Sequence, residues 1–326
     1  MDPTPDPRPA VSVIMPLLNE ERHLRDAVAM ILAQDYSGPL EVVLALGPST
    51  DRTDEVAATV AAADPRVRLV PNPSGRTPDG LNAAIGAATG EVIVRVDGHA
   101  EIPDDYISVA VEELLRVGAD NVGGIMDARG TTDFERAVAC AMRSPLGVGS
   151  ARFHTGGEAG EADTVYLGVF RRAALERVGG YDPHFARAQD WEMNHRIRET
   201  GGTVWFTPAL KVTYRPRASV KALARQYFHY GRWRRVVARH HEGTINPRYL
   251  APPTMVGVTT AAAVIGFFWH PAWAVPAAYA AGVTAGGLAI SRGESPATRA
   301  ATPLVLATMH WSWGVGFLTS PSRLQR

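Results

Sequence analysis

From Ala251 to Ile290 the chain carries no aspartate, glutamate, lysine or arginine. At the 20% charged content of the whole sequence, about eight such residues would be expected in a stretch of that length, so the gap sets this region apart. Two parts of it, Ala251 to Trp269 and Ala272 to Ile290, are each about long enough as helices to cross the ~30 Å hydrocarbon core of a bilayer. A second uncharged run, Ala300 to Ser322, holds a third candidate span, Ala300 to Thr319. All three are rich in alanine, glycine and threonine, which insert less readily than leucine, so a buried helical hairpin is the competing reading. Arginines crowd just before residue 250 and recur at Arg292 and Arg299, whereas the His270-Pro271 link has no lysine or arginine. By the positive-inside rule the chain before residue 250 and the 291–299 loop face the cytoplasm, and three spans would leave the C-terminus outside.

Ahead of this tail the pattern changes to alternation. β-rich runs at Val11 to Met15, Leu40 to Leu46, Val67 to Val70 and Glu91 to Val96 are separated by helical segments at Glu20 to Ala33, Thr53 to Ala63 and Pro78 to Ala88. Strand, helix and strand in this order predict right-handed crossovers and a mostly parallel α/β sheet, with ligands at the carboxyl ends of the strands. Beyond Asp127 the alternation gives way to a helix near Phe134 to Met142, a glycine loop at Gly156-Gly157 and a strand near Thr164 to Phe170. Residues 1–10 are rich in proline and lack the basic and apolar regions of a signal peptide, so they read as a loose lead.

Charge and cysteine content narrow the function. Lys+Arg and Asp+Glu both number 33, which gives no electrostatic case for a nucleic-acid partner. Cys140 is the single cysteine and cannot form an internal disulfide, as suits a reducing compartment.

Five motifs in order carry a resemblance: Val11 to Leu24 (VSVIMPLLNEERHL), Gly47 to Thr53 (GPSTDRT), Val94 to Ala100 (VRVDGHA), Tyr166 to Asp182 (YLGVFRRAALERVGGYD) and Gln189 to Ile197 (QDWEMNHRI). The chain resembles family 2 glycosyltransferases of the GT-A fold, in their succinoglycan-type, ExoA-like branch, over residues 10 to 250. The resemblance implies a Rossmann-like, mostly parallel nucleotide-sugar-binding domain at 11–218. A basic amphipathic region at 219–245 and a membrane region at 250–322 with two or three transmembrane helices follow it.

What the resemblance implies for the site begins with Pro16, Asn19 and Glu20, which line the nucleotide pocket at the end of the first strand. Asn19 could equally cap the next helix. Asp51, Arg76 and Arg171 join the donor-binding set, although of two adjacent arginines, Arg171 and Arg172, one is commonly solvated. Asp97 and His99 occupy the Asp-x-Asp position, where a divalent metal, Mn²⁺ or Mg²⁺, bridges the donor's phosphates; the imidazole favours Mn²⁺. Taken alone, Asp-Gly-His is a turn. Asp190 matches the catalytic base of inverting members, and helix capping is its structural alternative. Glu192 and Arg196, four apart, read as a solvated helix pair. Leu46 stands where family members commonly carry an acid that reads the base, so a UDP-sugar donor rests on resemblance alone.

Between Ser219 and His241, Lys221, Arg225, Arg232, Arg235 and Arg239 fall within about 80° on a helical wheel, opposite Leu223, Tyr227, Tyr230 and Val237. That face suits an anionic membrane surface or solvent. Gly231 weakens the helix at its middle. Trp191, Arg232 and Trp233 are the candidate acceptor-binding residues, and His229 stands where processive synthases carry glutamine. The expectation is a cytoplasmic-membrane enzyme moving a sugar from a nucleotide-sugar donor to a lipid-linked or polyprenyl-phosphate-linked acceptor in cell-envelope or exopolysaccharide biosynthesis. A nucleotidyltransferase or a non-catalytic membrane scaffold on a similar fold is the alternative.

Overall fold

The computed structural model describes residues 8–322 and 324, so most of the expected N-terminal lead lies outside the described residues. Strands β1 (Val11–Leu17), β2 (Leu40–Leu46), β3 (Val67–Pro71) and β4 (Val92–Arg95) alternate with α1 (Leu24–Leu32), α2 (Thr53–Ala63) and α3 (Thr77–Ala87). Then come α4 (Tyr106–Val117), β5 (Asn121–Ala128), α5 (Asp133–Met142), the single turns α6 (Pro145–Val148) and α7 (Arg152–Thr155), β6 (Gly160–Glu161), β7 (Tyr166–Arg171), α8 (Arg172–Val178), α9 (Gln189–Glu199) and β8 (Val204–Tyr214). The chain ends in α10 (Val220–His240), α11 (Ala251–Gly266), α12 (Ala274–Ile290) and α13 (Pro296–Leu318).

One sheet runs in the order β3-β2-β1-β4-β7-β5-β8-β6. Its first four strands are parallel, and β7 pairs antiparallel with both β4 and β5. The chain builds outward from β1 to β2 and β3, then returns to place β4 on the other side of β1, so the direction of winding switches between β1 and β4. Pairing of β1 with β4 stops at Ile14 and Arg95, while pairing of β1 with β2 continues to Leu17 and Leu46. Pro16 therefore lies where the β4 side no longer needs a backbone donor, which is why a proline is tolerated in a central strand.

Helix α1 begins four residues later than the sequence predicts. The Glu20 amide donates to Thr53 Oγ1 at 2.7 Å and the Glu21 amide to Asp51 Oδ2 at 3.2 Å, so the start of the expected helix is held in a loop. α2 matches its prediction because alanines and valines fill it behind an acidic first turn.

Two compact units divide the chain. The sheet unit reaches to Met126 and resumes over Gly156–Thr213, and the helical unit comprises Asp127–Thr155 and the chain from Tyr214 onward. The expected continuous domain at 11–218 is thus interrupted. Residues 127–155 leave it because α5 buries Ala137, Val138 and Ala141 in the helical unit, where it packs on α13. Asp133 Oδ1 accepts from Ser295 Oγ at 2.6 Å and Thr298 Oγ1 at 3.0 Å, placing a negative charge at the N-terminus of α13.

The third expected span, Ala300 to Thr319, is most of α13, and α13 is the hub of the helical unit: α5, α10, α11 and α12 all pack on it. Among the described residues, two helical stretches are long and apolar enough to cross a membrane, Pro247–Gly266 and His270–Ile290. The basic helix packs on α13. Arg235 donates to the carbonyls of Phe317 (2.9 Å) and Leu318 (3.1 Å), and Arg239 to those of Ser320 (3.2 Å) and Pro321 (2.5 Å). Arg235 thus satisfies carbonyls at the open C-terminal end of α13, and Arg239 two that follow it.

Gly231 is explained by the same packing. A Cβ there would collide with the Trp313 carbonyl, and one at Gly316 with the Phe228 carbonyl, so the two glycines let α10 and α13 approach backbone to backbone. Gly316→Ala should force them apart and lower stability by about 1–3 kcal/mol, read as a fall in the thermal midpoint of the full chain in detergent. Gly257→Ala, where a Cβ meets nothing within 4 Å, should cost nothing in the same measurement.

Candidate active site

The site is organised around Arg95, the last residue of β4. Its side chain is 4% exposed, yet a charged guanidinium is rarely buried without partners. It has two. Arg95 Nε donates to Asp97 Oδ1 at 3.1 Å, and Arg95 Nη1 forms an ion pair with Asp190 Oδ1. The acids themselves are 24% and 29% exposed, so one buried cation holds two outward-reaching carboxylates within reach of each other. Burial works against the charge of Arg95, but Asp190 and Asp97 outweigh it and raise the guanidinium's pKa well above its ordinary value.

Asp190 comes from the first turn of α9, whose N-cap is Ala188 in the left-handed region at φ +60°, so Asp190 is not the helix cap. Its pKa is raised: burial disfavours the charge and Asp97 adds repulsion, while Arg95 pulls the other way. Three contacts fix α9. Asn194 accepts from Asn121 Nδ2 at 2.5 Å and donates to Thr164 Oγ1 at 2.9 Å. Glu192, 1% exposed, pairs with Arg196 at 2.6 Å, and Arg196 also donates to the Val178 carbonyl at 2.5 Å. This i,i+4 pair is buried rather than solvated, because its arginine also ties α9 to the end of α8. Tyr181 stands in the same cluster, its amide and carbonyl clamped by Asn82 at 2.8 and 2.7 Å and its hydroxyl buried beside Arg95.

On the β1 side, Glu20 Oε1 lies 2.9 Å from His99 Nδ1. Gly98 permits this: a Cβ there would meet Glu20 Cγ and Leu17 Cδ2 at 2.9 Å each. Asn19, at φ +58°, does not cap α1; its Oδ1 accepts from the Thr50 amide at 2.8 Å, and its own amide donates to Ser49 Oγ at 3.1 Å. Asp51 accepts from Thr53 Oγ1 at 2.5 Å and from its amide at 3.0 Å, bonds that hold the carboxyl below the usual range. Asn19 and Asp51 thus fasten two loops to each other. Arg76, preceding α3, pairs with Asp79 at 2.7 Å and donates to the Pro183 carbonyl at 3.2 Å.

Beside these loops an open groove of about 330 Å³ runs along the ends of β2 and β3, with Leu46, Pro48, Leu69, Val70, Pro71 and Asp54 among its walls. Asp54, in the first turn of α2, brings a carboxylate to the groove that Leu46 lacks.

Arg171 lies apart from the other donor-binding candidates of the sheet. Arg171 pairs across from Val92 at the start of β4, the opposite end from Asp97, and donates to the carbonyls of Ala119 (2.9 Å) and Leu114 (3.1 Å) after and within α4. It closes a helix end and is not near the other donor-binding candidates. Arg232 and Trp233 belong to the helical unit; Trp233 is 4% exposed and part of its core, and Arg232 lies over the Phe228 ring at 5.3 Å. Trp191 is half-buried beside Asp190 and stacks on His195 at 5.2 Å.

No three His, Cys, Asp or Glu side chains converge on a point among the described residues. Asp97 and His99, with Glu20 against His99, nevertheless offer carboxylate and imidazole donors at one loop. That set fits a divalent cation shared with phosphate oxygens of a ligand, not one caged by protein alone.

A family model for Glycosyl transferase family 2 matches residues 12–179. The chain belongs to glycosyltransferase family 2. Its fold is GT-A, and it is a glycosyltransferase. The succinoglycan biosynthesis protein ExoA of Rhizobium meliloti (strain 1021) is 30% identical over 307 residues, 94% of this chain and 93% of that one. A dolichyl N-acetyl-α-D-glucosaminyl phosphate 3-β-D-2,3-diacetamido-2,3-dideoxy-β-D-glucuronosyltransferase of Methanococcus voltae is 24% identical, covering 74% of this chain and 77% of its own. Among solved structures, the family 2 fold here superposes on the mannosyltransferase PcManGT from Pyrobaculum calidifontis, in complex with GDP-Man and Mn²⁺. The TM-score is 0.61 at 24% identity, with 93% of this chain and 86% of that one covered.

Arg95→Met leaves two carboxylates beside an apolar side chain. It should destabilise the sheet unit by about 3–5 kcal/mol, the usual result of removing one partner from a buried pair. Arg95→Lys should recover only part of that, because one ammonium cannot reproduce the fork. Thermal unfolding of the full chain followed by tryptophan fluorescence ranks the three proteins.

Proposed function

We propose that this family 2 glycosyltransferase is membrane-associated, metal-dependent and inverting. It moves one sugar from a nucleoside-diphosphate donor, a UDP-sugar being the first to test, onto a lipid-linked acceptor in polysaccharide biosynthesis, with the catalytic residues facing the cytoplasm. The observation that carries the reading is the Asp97–Arg95–Asp190 bridge, which joins the strand end at the winding switch to the N-terminus of α9.

In this reading the apolar groove receives the nucleobase, with Asp54 as its carboxylate, and Glu20 and Arg76 flank the nucleotide. Asp97 and His99 would hold a divalent cation, which supplies charge neutralisation of the departing diphosphate when bound. Asp190 takes the proton from the acceptor hydroxyl as that oxygen attacks the anomeric carbon. A bond forms from the acceptor oxygen to that carbon, the bond to the diphosphate oxygen breaks on the opposite face, and the anomeric configuration inverts. Trp191, next to Asp190, supplies an aromatic face for the acceptor sugar. ExoA, by its name a succinoglycan biosynthesis protein, supports a polysaccharide product, and the dolichyl-phosphate relative supports a lipid-linked acceptor. PcManGT, solved with GDP-Man and Mn²⁺, makes GDP-sugars the second donors to test.

Release of nucleoside diphosphate from a donor panel with Mn²⁺, Mg²⁺ or chelator, with polyprenyl-phosphate-linked acceptors, tests the whole scheme. Asp190→Asn should abolish turnover while donor still binds; retained turnover removes Asp190 from the base role. His99→Ala should weaken donor binding in the presence of metal and leave metal-free binding alone.

The pH profile follows from the raised pKa of Asp190. A base works only when ionised, and a raised pKa keeps it protonated to higher pH, so kcat/KM should fall on the acid side at a pH above the ordinary aspartate value of about 3.9.

A further inference from the structure

We propose that Glu20 is a positioning residue of the cation site: its carboxylate takes the Nδ1 hydrogen of His99 and thereby turns Nε2 of the ring toward the metal. The inference rests on the metal reading proposed above and gives Glu20, placed there beside the nucleotide, a defined task within it.

Asp97 and His99 share one turn, closed by the Ala100 amide donating to the Asp97 carbonyl at 2.9 Å. The glycine between them is not needed for backbone freedom, because Gly98 does not adopt a positive φ. It is needed for room. A Cβ at Gly98 would stand 2.9 Å from both Glu20 Cγ and Leu17 Cδ2, and 3.2 Å from Glu20 Cδ. The Glu20 side chain therefore lies along the turn and reaches past Gly98, bringing Oε1 within 2.9 Å of His99 Nδ1.

Little about Glu20 is left loose. Its amide donates to Thr53 Oγ1 at 2.7 Å, and that hydroxyl, on a fully buried residue, donates in turn to Asp51 Oδ1. Its carbonyl accepts from the amides of His23 and Leu24, each at 3.0 Å. The Glu20 side chain is 17% exposed against 55% for His99. With a fixed carboxylate behind an exposed ring, the acid sets the orientation of the imidazole and not the reverse.

The chemistry follows from the roles of the atoms. An ionised carboxylate only accepts hydrogen bonds, so the imidazole nitrogen against it carries the hydrogen. In the neutral ring the lone pair is then on Nε2, and a metal binds an imidazole through its lone pair. Asp97 has the matching support, since Arg95 Nε donates to its Oδ1 at 3.1 Å. Each donor of the turn thus has a partner of the opposite hydrogen-bonding kind behind it, a guanidinium for the carboxylate and a carboxylate for the imidazole. Stability alone does not account for the contact, because an ion pair with one partner more than half exposed contributes little.

The test uses full-length protein in detergent with Mn²⁺ and either UDP or GDP. Metal binding is read as loss of the free-ion electron paramagnetic resonance signal, and imidazole coordination as nitrogen modulation of the Mn²⁺ spin echo. The parent should show the modulation and His99→Ala should lose it. Glu20→Ala should weaken Mn²⁺ binding about tenfold or more and lower the modulation, while nucleotide binding in chelator stays as in the parent. Glu20→Gln, whose amide oxygen still accepts from Nδ1, should recover most of the affinity. In a His99→Ala background Glu20→Ala should have no further effect, because Glu20 acts through the ring. Should Glu20→Ala fail to fold, Glu20→Met keeps the length without the oxygens. Unchanged affinity and modulation in Glu20→Ala overturn the proposal. So does a further loss in the His99→Ala background, which makes Glu20 a ligand in its own right, or an equal loss of nucleotide binding in chelator, which makes it a nucleotide contact. Absence of Mn²⁺ binding or of modulation in the parent overturns the metal reading itself, a result visible before any substitution is made.

Discussion

A guanidinium with almost no exposure has to be surrounded by charge and hydrogen bonds, because an unpaired buried cation costs several kcal/mol. Arg95 meets that demand with two carboxylates drawn from positions far apart in the chain, Asp97 on its own strand and Asp190 on α9. The requirement works in both directions. The strand cannot bury Arg95 unless α9 presents its first turn to it. Conversely, the carboxyl of Asp190, its ionisation disfavoured by burial, keeps its charge partner only while β4 is in place. The surrounding polar contacts then read as one support: Asn194 on Asn121 and Thr164, Arg196 on Glu192 and the Val178 carbonyl, and Asn82 on Tyr181. Networks of this kind fix a geometry when every member is satisfied. The Tyr181 hydroxyl lies buried in the same cluster, beside Arg95 and Asp190.

The opposite wall of the site is made by loops. β1 and β4 part after Ile14 and Arg95, and the Glu20–His99 contact bridges the gap that opens. Asn19 and Asp51 hold the β1 and β2 loops together through backbone amides, which keeps Glu20 at that gap and leaves the ends of β2 and β3 as an open apolar groove. Charged chemistry and apolar recognition are thereby separated along one sheet edge, as suits a ligand with an anionic middle and an aromatic end.

In the helical unit the controlling feature is close backbone approach. α13 accepts neighbours on several faces because glycines stand where each comes nearest: Gly316 against α10, Gly231 of α10 and Gly287 of α12 against α13, and Gly314 against α11. Small residues at helix contacts are the means by which helices associate where hydrophobic burial gives little drive. They also leave the large apolar side chains of α11 and α12 on the outside, which is where exposed Val264, Ile265, Val275 and Leu288 are found.

Much of this was legible in the sequence. The alternation of strand and helix predicts β1 to β4 within a residue or two, and the five ordered motifs name the family. The lone arginine in the apolar strand VIVRVD is a readable signal of a buried cation. Its partners were not readable, since nothing in local spacing states that residue 95 meets residue 190. Arg171 and Trp233 show the complementary limit: side chains of the right type at suggestive positions close a helix end and fill a helical core. Periodicity, composition and motif order therefore determined the elements, the fold and the class of chemistry, because these depend on local propensity and on which faces must be buried. Only the tertiary structure decided which charges share a counterion, that α13 is the hub of the helical unit, and that Gly231 is a contact rather than a weak point. Those outcomes depend on desolvation and close packing between segments distant in sequence, which no local pattern encodes.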